Sequence, residues 1–315
     1  MKKTLTTLLA LFAVFALVAC GNSSSQNSEK KSSSAISKMP EIQGFTYYGD
    51  IPQNPKKVVN FAYSYTGYLL ELGIVPATYS LDLEKDSPAF GQDLENATQL
   101  TSSDTEAIVA QEPDLIIVFS TDENIDQLKE IAPTLVIEYA SSDYLQMLTN
   151  LGQVFNKEEQ ATAWLNQWDE KVAEAKKDLS NVLTNDTSFT VMDFYEKNIY
   201  LYGDNWGRGG ELIYQSLGYA APQKVQEDVI NKDGWFGLSQ EVIGDYIGDY
   251  AVVNVNSGTK EAASSLKESD VWKNIPAVQA GHVLEVDYNL FYFSDPMSLD
   301  MQLEAFVKAV KEANN

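Results

Sequence analysis

One histidine, one cysteine and one arginine in 315 residues leave few routes to catalysis. With a single cysteine no intramolecular disulfide can form, and Cys20, at the end of an apolar run, is badly placed for a nucleophile. A Ser-His-Asp or Cys-His site would have to use His282, which follows Ala280-Gly281 at a strand start; a hydrogen-bonded strand-end histidine is the simpler reading. A cage for free zinc or manganese draws on several His or Cys ligands, which are lacking. No G-x-x-x-x-G-K-[ST] occurs. Gly207-Arg208-Gly209-Gly210 lies between a strand-like and a helix-like run, but the sixth position of a G-x-G-x-x-G pattern here is Leu212, so the dinucleotide fingerprint fails. No resident metal or cofactor is expected. Paired carboxylates for glycoside hydrolysis are neither excluded nor signalled in so acidic a chain.

Positive charge is also scarce. The 22 basic residues against 45 acidic ones give a net charge of −23. Such acidity argues against nucleic acid, phosphate-rich ligands and polyanions, and permits neutral or cationic ligands. A self-repelling extracellular surface accounts for most of it.

Only one long apolar run is present, Leu5 to Val18, interrupted by Thr6 and Thr7 and preceded by Lys2 and Lys3. It is short for a membrane span and has the shape of a secretory signal. Its end, Leu17-Val18-Ala19-Cys20, resembles the lipobox of bacterial lipoproteins, in which the cysteine is lipidated and becomes the mature N-terminus. Loss of Lys2 and Lys3 with residues 1–19 takes the charge from −23 to −25. Residues 20–44, serine-rich and polar at first, read as a tether. Two acyl chains on Cys20 would anchor the protein durably.

The remaining residues alternate strand-like and helix-like runs. Lys57–Phe61, Asp114–Phe119 and Thr134–Tyr139 read as strands, with helices at Thr66–Gly73 and Thr121–Ile131. From Glu158 to Leu183, Ala161, Trp164, Leu165, Trp168, Val172, Ala175 and Leu179 recur at helical spacing. A helix on the order of 39 Å in mid-chain is a strut between two lobes. Beyond it, Phe189–Tyr195 and Asn198–Tyr202 form a hairpin about Glu196-Lys197; Tyr250–Asn254 and His282–Asp287 are strands and Leu299–Ala313 is a closing helix. The β-α-β rhythm predicts mostly parallel sheets covered by helices, with lobes at residues 45–157 and 184–315 joined by a helix at 158–183.

What the chain does have is aromatic side chains, with 17 Tyr, 13 Phe and 5 Trp. Tyr63, Tyr65 and Tyr68 follow the first strand, Tyr139 and Tyr144 another, and Tyr288 and Tyr292 come near the end; Trp235 stands in the loop-like Asp233-Gly234-Trp235-Phe236-Gly237. Aromatics at the carboxyl ends of strands predict a ring-lined cleft, with Tyr65 and Trp235 in its wall. The sole arginine, Arg208, lies in Tyr202-Gly203-Asp204-Asn205-Trp206-Gly207-Arg208-Gly209-Gly210. A planar donor fork beside an indole on a glycine-rich turn suits an acceptor-rich ligand. As a cleft residue it is expected to contribute little to the stability of the ligand-free protein.

That segment, with Tyr65-Thr66-Gly67, Glu112-Pro113-Asp114, Gly248-Asp249-Tyr250, Trp272-Lys273-Asn274 and Ser294-Asp295-Pro296, is similar to the substrate-binding lipoproteins of bacterial ABC importers for iron–siderophores, in the long-helix class, and to its ferric-hydroxamate receptors. The resemblance runs from about Pro52 to the C-terminus. It implies α/β architecture, with two Rossmann-like lobes joined by one long helix, ligand between the lobes, and no catalysis. Trp206 and Arg208 match the family's ligand-contacting pair and Tyr200 a cleft tyrosine. Phe119 and Tyr139 fall at first-lobe lining positions, and Tyr292 stands where relatives often carry tryptophan. Glu106 and Glu241 match acids that dock on the permease, although each also fits an ordinary helix start. The implied partners are a ferric hydroxamate siderophore, a permease with its ATPase, and the membrane through lipid; the receptor is expected to be a monomer. Ferric tris-hydroxamate is formally neutral and ferric tris-catecholate a trianion, so the charge favours hydroxamate. Catecholate, citrate-type, haem and corrinoid ligands are the alternatives within the family; a surface glycan-acting enzyme or an adhesin is the alternative outside it. Cys20→Ala is expected to shed the folded protein into the medium, and retention of the mutant by salt-washed membranes would contradict the anchor.

Overall fold

A computed structural model describes residues 39–195 and 198–315. The signal, Cys20, most of the tether and the expected turn at Glu196-Lys197 lie outside the described residues. The first lobe contains β1 (Phe45–Tyr48), β2 (Val58–Asn60), β3 (Thr78–Tyr79), β4 (Thr98–Gln99), β5 (Leu115–Phe119) and β6 (Thr134–Ile137). Its main sheet has the order β1-β6-β5-β2, while β3 and β4 pair separately. β2, β5 and β6 run parallel, and β1 is an antiparallel edge on β6. In β5, Leu115 and Ile117 join one apolar cluster and Ile116 and Val118 another. Successive side chains of a strand point to opposite faces, so a fully apolar strand needs cover on both, as its burial shows.

The second lobe is built from β7 (Phe189–Tyr195), β8 (Asn198–Tyr202), β9 (Trp235–Leu238), β10 (Tyr250–Val255) and β11 (Val283–Asp287), in the order β11-β10-β7-β8-β9. β11, β10 and β7 are parallel, whereas β7, β8 and β9 are antiparallel. Both sheets are mixed. The expected parallel pairing holds for β2, β5 and β6 and for β7, β10 and β11, and the β7–β8 pair is the expected antiparallel hairpin. β1 and β9 add antiparallel edges that the β-α-β rhythm does not predict. Trp235 belongs to β9, opposite Tyr202, and not to a loop.

Four helices set the frame: α1 (Thr66–Glu71), α2 (Tyr144–Val154), α3 (Glu158–Leu179) and α4 (Pro296–Ala313). α3 is the expected strut, about 33 Å long at 1.5 Å per residue for its 22 residues. Glu158 and Glu159 open it and Lys176 and Lys177 close it, which suits the helix dipole. It stops before Leu183: the Ser180 hydroxyl donates to the Lys177 carbonyl, and Leu183 turns back into the core at 4% exposure. Trp164 and Trp168 stack at 5.4 Å in that core. Ser216 of the second lobe is bonded by both Tyr144 of α2 and Trp168 of α3. α4 begins at Pro296 behind its cap Asp295 and packs on α1, α3 and β11. One apolar cluster thus joins Leu69 of α1, Leu135 and Ile137 of β6 and Trp168 of α3 to Val252 of β10 and Phe306 of α4. The expected helix at Thr121–Ile131 shrinks to Ile125–Leu128. Met39 and Ile42, placed in the tether by the sequence, pack against the core.

Candidate functional site

A cavity of about 580 Å³ opens at the carboxyl ends of the first-lobe strands, within the usual range for small-molecule sites. Phe119 ends β5, Tyr139 follows β6, and Tyr63 and Tyr65 form the turn after β2; Tyr200, Trp206, Arg208, Trp235 and Tyr292 face them from the second lobe. The eight candidate binding residues from the sequence are thus brought to one cavity. Their rings form a chain across it: Tyr65 to Phe119 at 5.6 Å, Phe119 to Tyr139 at 5.8 Å, Tyr139 to Trp206 at 5.7 Å. Trp206 to Trp235 at 6.5 Å and Trp235 to Tyr200 at 5.9 Å continue it to the outer edge.

The loop carrying Trp206 and Arg208 is fixed by its glycines. Gly207, Arg208 and Gly209 have φ of 70°, 59° and 92°. At Gly207 a Cβ would strike the Tyr292 carbonyl. Arg208 carries a steric penalty in this region that glycine avoids, a kind of strain common at ligand sites. The indole of Trp206 is oriented by donating to the Asp233 carbonyl at 2.7 Å.

Arg208 is more deeply placed than the sequence suggests. Its side chain is 13% exposed and its Nε lies 3.3 Å from Asp193 Oδ2, itself on a side chain only 3% exposed. Nη1 donates to the Trp206 carbonyl at 3.1 Å. The guanidinium carbon is 4.0 Å from the Tyr292 ring centre, 4.6 Å from Tyr202 and 5.6 Å from Tyr288. Burial opposes its charge, and the surrounding tyrosines and Asp193 more than offset that. Burial also raises the Asp193 carboxyl, with Arg208 and the Tyr202 hydroxyl pulling it back. The expectation that Arg208 matters little to the ligand-free fold is therefore corrected: removing it strands a buried carboxylate, a large destabilisation.

Arg208 is the only cation lining the cavity among the described residues; Asp143, Asp193 and Glu211 line it too. Glu211 heads a π-helical turn, Glu211–Ser216, and burial lifts its pKa to about 7 against the Gly207 N–H and the Ser294 hydroxyl. Asp295 is lifted to about 6 by burial, opposed by the Ser298 hydroxyl and N–H. Asp193, Glu211 and Tyr202 escaped the sequence reading as site residues, whereas Tyr63 and Tyr288, grouped there with the strand-end aromatics, do line the cavity. Asp193 carried a signal, an acid inside the apolar run Val191-Met192-Asp193-Phe194. Glu106 and Glu241 are exposed, outside the cavity, each in the first turn of a short helical segment. His282 stacks on Tyr250 at 4.2 Å and bonds the Asp249 carbonyl.

Two mixed α/β sheets, a bridging helix and a cleft at the strand ends define a binding protein of the periplasmic type. Residues 58–290 match the Periplasmic binding protein family, and the chain belongs to it. It is similar to the iron(3+)-hydroxamate-binding protein FhuD of Bacillus subtilis, 36% identical with 98% of each chain covered. It is also similar to the iron(3+)-hydroxamate-binding protein YxeB of the same organism, at 32% with 96% and 95% covered. Among solved structures, FhuD2 of Staphylococcus aureus with bound ferrioxamine B superposes with a TM-score of 0.76 at 32% identity, covering 83% of this chain and 100% of that one.

Glu211 and Asp295 have ordinary values of 4.5 and 3.8, so both hold a proton more tightly when folded. The folded chain then binds more protons than the unfolded one, and stability falls as pH rises from the unfolded values through about 7. Burial shifts Glu71 and Glu84 the same way. The thermal midpoint of the ligand-free protein is expected to be higher near pH 5.5 than near pH 8; a midpoint that rises over that interval would contradict these burials.

Proposed function

We propose that the protein is a membrane-anchored extracellular receptor that binds a ferric hydroxamate siderophore in the cleft and delivers it to an ABC permease for iron uptake. The observation that carries this reading is the cavity wall: a chain of aromatic rings with one cation already paired to Asp193. A ferric tris-hydroxamate is neutral and presents a cluster of oxygen acceptors wrapped in aliphatic chain. The rings take the chain, and Arg208 offers charge-assisted hydrogen bonds to the oxygens. A trianion would find one half-neutralised cation beside three acids, and a poor site. The names of the two Bacillus relatives and the ferrioxamine B complex point the same way. For the anchor, the support is the cysteine after the signal and a relative named as a probable siderophore-binding lipoprotein. No described helix is long and apolar enough to cross a membrane. Iron travels here as cargo inside its chelator.

Arg208→Ala should weaken ferrioxamine B binding about tenfold to a hundredfold, in line with loss of a charge-assisted bond, on the order of 1.5–3 kcal/mol. Arg208→Lys should recover part of this, since a point charge cannot reproduce the fork. Fluorescence titration of folded variants tests both, and affinities equal to wild type would make Arg208 a bystander. For delivery, Glu106→Lys and Glu241→Lys should leave affinity nearly unchanged while cutting cellular iron uptake, because both acids are exposed and away from the cavity. Uptake that falls only in proportion to lost affinity would remove their docking role.

A further inference from the structure

Beneath the ligand loop lies a carboxylate that the binding scheme above leaves without a task. Glu211 is 4% exposed. Each of its oxygens is 3.0 Å from the Gly207 nitrogen, and Oε1 also accepts from the Ser294 hydroxyl at 3.0 Å. Ser294 stands just before α4, and its carbonyl accepts from the Tyr68 hydroxyl of α1 at 3.0 Å. Gly207 is the residue between Trp206 and Arg208. A single relay therefore runs from the first lobe, through Tyr68, Ser294 and Glu211, to the backbone of the loop that carries the indole and the guanidinium. The loop needs such an anchor, because it holds three successive residues at positive φ, one of them Arg208.

We propose that Glu211 is the positioning residue of this site: its carboxylate fixes Gly207 and couples the Trp206–Arg208 loop to the first lobe, so that affinity for a ferric hydroxamate depends on Glu211 being ionised. The inference rests on the function proposed above. As a carboxylate, Glu211 is an acceptor only and takes the Gly207 N–H and the Ser294 O–H together; a protonated carboxyl has to give up acceptor capacity to its own proton. The groups facing it are Tyr68 of α1, Tyr139 after β6, Tyr144 of α2 and Asp204 of its own loop. Asp204 opposes its ionisation, while the Gly207 N–H and the Ser294 hydroxyl favour it. Burial dominates and brings the balance to about 7, so the anchor weakens on mild acidification. Stability and affinity then move in opposite directions with pH. The ligand-free fold gains as the buried acids take up protons, while the loop loses its clamp. A purely structural Glu211 would not produce that opposition.

The test is a fluorescence titration with ferrioxamine B near pH 8 and near pH 6, using wild type, Glu211→Gln and Ser294→Ala. Wild-type affinity should fall on the order of fivefold between the two. Glu211→Gln should bind near the weaker level at both. Comparing the proteins at the same pH cancels any titration of the ligand. Ser294→Ala removes a donor that favours the carboxylate and should move the midpoint of the wild-type profile to higher pH. It also serves if Glu211→Gln does not fold. A wild-type affinity that is flat with pH, a pH dependence that survives in Glu211→Gln, or an unmoved midpoint in Ser294→Ala would overturn the inference alone. Failure of wild type to bind at either pH would overturn the proposed function, and this inference with it.

Discussion

Arg208 has to keep its charge while almost wholly removed from water, and the arrangement of the cleft follows from how that is managed. An unpaired guanidinium in such a place would be costly; one carboxylate, Asp193, lies against its Nε, and the faces of Tyr202, Tyr288 and Tyr292 close around it. The partners come from β7, from the end of β8 and from the segment before α4. The second-lobe sheet must therefore be in register before the arginine can be accommodated. The same enclosure shapes what can bind. A cation already paired and surrounded by rings can donate hydrogen bonds without presenting a large uncompensated positive field.

The frame around this pair is tied together where the ligand loop needs it to be. α3 and α4 share an apolar cluster with both sheets, and Ser216 ties α2 and α3 to the second lobe. Tyr68 and Ser294 bring the first lobe to within one carboxylate of Gly207. Binding residues on loops are useful only if the loops are held. Here the holding groups are mostly polar atoms in buried positions, which makes them sensitive to protonation in a way that an apolar scaffold would not be.

Much of this was readable beforehand, for local reasons. The spacing of Trp164, Trp168, Ala175 and Leu179 identified the strut, because helical periodicity is a property of neighbouring residues. The apolar runs of β5 and β6 identified buried strands in the same way. The glycine-flanked Arg208 stood out because it has no other arginine to hide among. What escaped was set by distant contacts. β1 is recognisable only through its pairing with β6, and Trp235 sits in a strand because β8 offers it an edge. Asp193 becomes a site residue only once Arg208 folds over it. Glu211 has no site signal among its own neighbours, because Ser294, 83 residues further on, is brought to it only by the fold. Three- and four-residue periodicities do not carry information of that range.

A ring-lined cavity with one compensated cation should select a chelate whose iron core is neutral over a trianionic one, and on that selection the reading of the site stands or falls. The most direct measurement is a side-by-side titration of the purified wild-type protein, from Met39 onward, with ferrioxamine B and with a trianionic ferric tris-catecholate, at one pH and two salt concentrations. Saturable quenching by the hydroxamate is expected at both salt concentrations, and much weaker binding of the catecholate. Catecholate binding as tight as or tighter than hydroxamate binding would contradict it.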